Sequence, residues 1–217
     1  MPNISKSELM SNFDLLHDRL FKMVSKPPDS TNLNVVELEI SGMMYDVQYF
    51  KGLIQITYPL ETMGKALLMN PANSNKLRNI ELYVQRTDFN MRKSFITIMQ
   101  FDLETLLGII AKEHKITFSE NTPILKRYNK VMNHFRITSN PYQSLLKTYH
   151  HVRNTLHVGT KIKNDFGPYS YKGCTFEAKM GQEYIEFADW RHFTWFTSEV
   201  LEIYEKIFAS ELYKIKK

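Results

Sequence analysis

Between Val36 and Ile54 the apolar residues Val36, Ile40, Met43, Val47, Phe50 and Ile54 follow one another at alternating steps of four and three. That spacing stacks side chains along one face of an α-helix, whereas a strand would send them to both faces. A strand over Val36, Leu38 and Ile40, alternating with Glu37 and Glu39, would have to end at Gly42, so the helix is the longer-range pattern. A helix with one apolar face needs partners to cover it, which makes a helical bundle the natural fold.

The same period recurs through most of the chain. Ser7 precedes Phe13, Leu16, Leu20, Phe21 and Val24, and Pro27-Pro28 forbids continuation. Asn70 to Asn75 reads as a loop, after which Leu77, Ile80, Tyr83 and Val84 resume the helical period. From there to about Lys115 the chain is one bent helix or two, because Asp102 or Thr105 before Leu106, Leu107, Ile109 and Ile110 offers a restart. Ser119 to Pro123 is a turn, and Ile124, Tyr128, Val131, Met132 and Phe135 mark a short helix. Asn140 as cap and Pro141 at the first helical position launch the next helix, Tyr142 to about His157, with Gly159 placed to close it. Phe193, Phe196, Val200, Ile203, Ile207 and Leu212 form a last helical stripe.

Only Lys161 to Phe187 changes character. Tyr169, Tyr171, Thr175, Phe176 and Ile185 favour strands, and Lys172-Gly173 falls where a tight turn belongs. The expected fold is therefore mainly α: a single-domain helical bundle over residues 1–217 with a small β-hairpin before the C-terminal helix. With 217 residues, 43% hydrophobic and 24% charged, the chain can fill one core and stay solvated.

Met1 to Met10 lacks the apolar run of a secretion signal, and the single cysteine, Cys174, has no intramolecular disulfide partner. Even Phe95 to Phe101 is interrupted by Thr97 and Gln100, so no membrane span is expected, and the expected location is cytoplasmic. The formal net charge of +5 attracts phosphates only where it is gathered on one face.

The densest run of chemically capable side chains is Tyr149-His150-His151-Val152-Arg153-Asn154-Thr155-Leu156-His157. On a helix, Arg153 and His157 share a face with Tyr149 one turn earlier, while His150 and Asn154 form a flanking pair. Arginine can clamp phosphate oxygens with its planar fork, and histidine exchanges a proton near neutral pH. RNA carries its own nucleophile in the 2′-hydroxyl, so a proton shuttle and a cation would suffice for cleavage, with no metal or cofactor required. No carboxylate sits at a helical offset that would turn His150, His151 and His157 into a metal site. In its strand, Cys174 reads as a packing residue rather than a nucleophile. Tyr169, Tyr171 and Lys172 are secondary candidates for contacting RNA bases.

Arg153-Asn154-Thr155-Leu156-His157, late in a helix, then Tyr171-Lys172-Gly173-Cys174-Thr175-Phe176-Glu177 and a closing helix, resembles a bacterial branch of the higher eukaryotes and prokaryotes nucleotide-binding (HEPN) superfamily. The resemblance covers best about Tyr142 to Phe208. It implies a metal-independent endoribonuclease, of the kind found in toxins and antiviral systems, with Arg153 and His157 as catalytic pair and Asn154 orienting the site. Tyr149 and His150 would be substrate-binding. It also implies a homodimer in which two motif helices meet, with Tyr149 and His150 near the two-fold axis. The other function seen among such domains is non-catalytic binding of nucleotide, nucleic acid or a partner protein. The usual HEPN motif separates its arginine and histidine by a longer interval than the three residues found here.

Overall fold

The computed structural model describes residues 5–25, 30, 32–68, 74–157, 165–171, 174–182 and 190–214. Helix α1 spans Lys6–Met23 and is capped by Ser5, whose hydroxyl accepts from the Glu8 backbone N–H at 3.2 Å. Helix α2, Val35–Leu68, begins with a reciprocal capping box. There the Asn34 side-chain oxygen accepts from the Glu37 N–H at 2.9 Å, and the Glu37 carboxylate accepts from the Asn34 N–H at 3.1 Å. Helix α3 runs unbroken from Ser74 to Glu113, so neither Asp102 nor Thr105 starts a new helix. Helix α4 covers Ile124–His134.

Two residues beyond the ends of α3 and α4 the backbone turns left-handed, at Lys115 (φ 56°) and Arg136 (φ 58°). In each case the next N–H returns to a carbonyl of the last turn: Ile116 to Ala111 and Ile137 to Met132, both at 2.8 Å. A 3₁₀ turn, Asn140–Tyr142, leads into α5, Gln143–His157. The expected cap, Asn140, thus lies inside this turn, with Ser139 at the cap position and making no side-chain cap bond. The reason is Pro141, which suits the tighter turn as well as it suits a first α-helical position.

Strands β1, Phe166–Tyr171, and β2, Cys174–Ala178, form the expected antiparallel hairpin. Tyr169 lies opposite Phe176 and Tyr171 opposite Cys174, with an irregularity between Phe166 and Tyr169. The expected turn, Lys172-Gly173, lies outside the described residues, as do Gly159 and Ile185. Helix α6, Trp190–Ala209, and the short α7, Glu211–Lys214, complete the chain.

Helices α2 and α6 each pack against both α1 and α3, making a four-helix core. Each contributes an aromatic ring to its centre. Phe95 of α3 meets Phe13 of α1 edge-on at 5.3 Å and Phe50 of α2 at 5.4 Å, and Trp190 of α6 lies 5.7 Å from both Phe13 and Phe95. All six residues of the α2 stripe, Val36 to Ile54, are buried, as are Phe193, Phe196, Val200, Ile203 and Ile207 of α6. Each such side chain contributes roughly 1.5–3 kcal/mol by leaving water.

Polar links hold the helices in place. Arg19 of α1 makes a two-pronged pair with Glu205 of α6, at 2.8 and 3.0 Å. The Trp190 indole N–H donates to Asp88 of α3 at 2.8 Å. Tyr204 donates to the Leu103 carbonyl and meets the Tyr128 hydroxyl at 3.0 Å. Burial raises the pKa of both tyrosines, so each stays a neutral hydrogen-bonding group.

One segment corrects the expectation that no stretch reaches membrane-spanning length. Val84–Glu113 of α3 is long and apolar enough by length and composition to cross a bilayer. Half of its most apolar stretch is buried in the bundle, where Phe95, Ile96, Met99, Leu103 and Leu106 form part of the core. The same composition also suits a central helix covered by its neighbours.

Candidate functional site

Helix α5 packs against α3, α6 and β1. Its start is held by Tyr142, whose hydroxyl donates to Glu202 of α6 at 2.9 Å and accepts from Lys206. Gln143 donates to the Asn129 side chain of α4 at 2.7 Å. Leu145, Leu146, Tyr149 and Val152 form the inward stripe, all buried. Buried Thr148 turns its hydroxyl back on the Ser144 carbonyl at 2.8 Å, which satisfies it within the helix.

Tyr149 belongs to this core. It is 3% exposed, and its ring meets Phe196 at 6.2 Å. Burial chiefly raises its pKa, and Thr197 of α6 offsets part of the rise. Tyr149 therefore points into the core of the protomer and not onto the polar face with His150 and Asn154. Tyrosine fits either side of an amphipathic helix, and here α6 supplies the apolar surface that takes its ring.

The outer side carries Lys147, exposed, with His150, His151 and Asn154, each partly exposed. The side-chain amide nitrogen of Asn154 lies 2.9 Å from Nε2 of His150, one turn earlier. An NH₂ group only donates, so Nε2 accepts, and the neutral ring carries its proton on Nδ1. The pairing expected from the four-residue spacing is thus made. Arg153 and His157 fall in the last turns of the same helix, and their side chains lie outside the described atoms.

His151 was not among the expected site residues. Partial burial first, and the Lys147 charge second, lower its pKa below the ordinary 6.5. Its ring centroid lies 6.3 Å from that of His150. A neutral imidazole beside a second one can accept a proton at neutral pH. Sequence spacing missed it because consecutive residues point about 100° apart on a helix, so only the neighbouring elements could decide how much of each ring they cover.

A second group of titrating side chains lies between α2 and α3. Asp102 of α3 has its pKa raised from 3.8 to about 7, first by burial, then by the charges of Asp46 and Glu39 on α2 and by a side-chain hydrogen bond to Asp46. Burial and Asp46 likewise raise Glu39. Keeping Asp102 protonated relieves the repulsion. Among the described residues no group of three His, Cys, Asp or Glu side chains is arranged to hold a metal ion.

Comparison of the chain with known protein families, with curated proteins and with solved structures finds no match.

Proposed function

We propose that the chain is a HEPN-like, metal-independent endoribonuclease working from α5. The observation that supports this reading is the clustering of His150, held by Asn154, and His151, with its lowered pKa, on the helix that also carries Arg153 and His157. Cleavage would begin with attack of an RNA 2′-oxygen on the adjacent phosphorus. A neutral imidazole takes the 2′-proton, and the bond from phosphorus to the 5′-oxygen breaks as that oxygen receives a proton from a protonated imidazole. His157 is the residue proposed for proton transfer, with His151 a second candidate for the base. Arg153 would stabilise the negative charge that develops on the phosphate oxygens. Asn154 would set the orientation of the neighbouring His150 ring. In a bacterial cell such an enzyme suits a toxin or an antiviral system.

The short interval between Arg153 and His157 favours a second reading, a non-catalytic HEPN-like module that binds nucleotide, nucleic acid or a partner protein.

The test is incubation of the purified chain with mixed single-stranded RNAs in excess chelator. The variants are Arg153→Ala, His157→Ala and His151→Ala. Cleavage lost in the first two and reduced in the third supports the enzyme. Absence of cleavage, with RNA binding retained by the wild type, rejects it in favour of the module. A toxin role further predicts poor growth on expression, relieved by His157→Ala.

A further inference from the structure

The outward face of α2 carries a second, independent helical stripe. Leu38, Gly42, Tyr45, Tyr49, Gly52 and Ile56 follow one another at steps of four, three, four, three and four, the spacing of a helix–helix seam. In a lone protomer all of this seam but the half-buried Gly52 faces water. Leu38 is 56% exposed, Tyr45 63%, Tyr49 60% and Ile56 66%, and Gly42 is exposed as well. The stripe that α2 turns inward, Val36 to Ile54, is buried, so the helix is apolar on two opposite sides.

The two glycines sharpen the point. A glycine inside a helix costs about 1 kcal/mol relative to alanine, yet a Cβ at Gly42 or Gly52 would meet nothing within 4 Å. The fold of one protomer therefore makes no use of the missing side chains. Two small residues on a seam let another helix backbone come close.

The order of the seam also says which helix. It is symmetric about residue 47: Leu38 matches Ile56, Gly42 matches Gly52, and Tyr45 matches Tyr49. Antiparallel pairing about a two-fold axis at residue 47 would set like residues opposite one another, with each contact made twice. We propose that the chain forms a homodimer through antiparallel pairing of α2 with α2 of a second copy. Aliphatic side chains then close each end, glycine backbones pass at close range, and four tyrosines stack around the axis.

The seam is about 27 Å long at 1.5 Å per residue. Its four large side chains, at ~200 Å² each when whole and 56–66% exposed, would remove at most about 1,000 Å² from water across the pair, the lower bound for a specific interface. Gln48 and Gln55 border it on one side, and Glu39 and Asp46 on the other, which supplies a polar rim. The proposal does not rest on the nuclease reading.

Sedimentation equilibrium of the full chain tests it. The wild type should dimerise. Tyr45→Glu combined with Tyr49→Glu should weaken the dimer at least about 100-fold with unchanged helical circular dichroism. Gly42→Leu with Gly52→Leu should do the same while the protomer melts no lower, which separates an interface role from a folding one. In a Cys174→Ser background, a Tyr45→Cys chain mixed with a Tyr49→Cys chain should form the crosslinked heterodimer faster than either chain crosslinks to itself. A monomeric wild type, even one that binds another protein through α2, would overturn the proposal. So would a dimer indifferent to these substitutions. RNA cleavage that persists in the monomeric variants leaves the nuclease reading intact, and a seam-dependent dimer without cleavage leaves this one intact.

Discussion

The side-chain amide nitrogen of Asn154 lies 2.9 Å from Nε2 of His150, and this contact assigns the imidazole a tautomer. With Nε2 accepting, the neutral ring holds its proton on Nδ1, whereas a free histidine is not so constrained. Nitrogen-15 shifts of His150 are expected to report the Nδ1–H form above neutral pH. Asn154→Leu should remove that bias and, if α5 cleaves RNA, lower the rate by about 10-fold. An Nε2–H ring in the wild type would contradict the assigned contact.

His151 gives a pH dependence with a definite sign. Its folded pKa lies below 6.5, through partial burial and Lys147. The stability it contributes is therefore present above 6.5 and is lost as pH falls through the folded value. Melting curves between about pH 5 and 8 should show less acid sensitivity in His151→Gln, and Lys147→Ala should recover a smaller part of the effect. Identical slopes in wild type and His151→Gln would show that the ring titrates as it does in water.

Asp102 acts in the opposite direction. Its pKa rises from 3.8 to about 7 on folding, so its contribution is fully present below 3.8 and is lost as pH climbs through 7. Asp102→Asn keeps the group neutral at every pH. Allowing for solvent screening of a partly exposed group, the gain near pH 8 is on the order of 1 kcal/mol, or roughly 2–4 °C in Tm. Near pH 4 the two proteins should melt together. A substitution that destabilises at both pH values would contradict the raised Asp102 pKa as the source of the effect.

Phe95 joins rings from α1, α2 and α6 and is completely buried. Phe95→Ala should cost about 3–5 kcal/mol, the usual range for emptying such a site. Tyr49→Glu, at a residue that is 60% exposed, should leave protomer stability within about 0.5 kcal/mol. Denaturant titration under monomeric conditions distinguishes the two.

The buried faces of the helices were legible because a helix repeats every 3.6 residues whatever surrounds it. The stripe from Val36 to Ile54 and that from Phe193 to Ile207 are buried as their spacing requires, and the four-residue offset of His150 and Asn154 produced the contact it implied. The hairpin was visible for the same local reason, a switch to strand-forming residues around a turn.

Periodicity alone could not say what each helix would meet. Tyr149 went into the core because Phe196 and Thr197 of α6 lie against it. Asp102 became a titrating group near neutral pH because α2 brings Asp46 and Glu39 beside it. His151 shifted because its surroundings cover part of its ring. Local spacing determines which residues share a face. Burial, charge pairing and pKa depend on elements distant in the chain, and only the packing of those elements decides them.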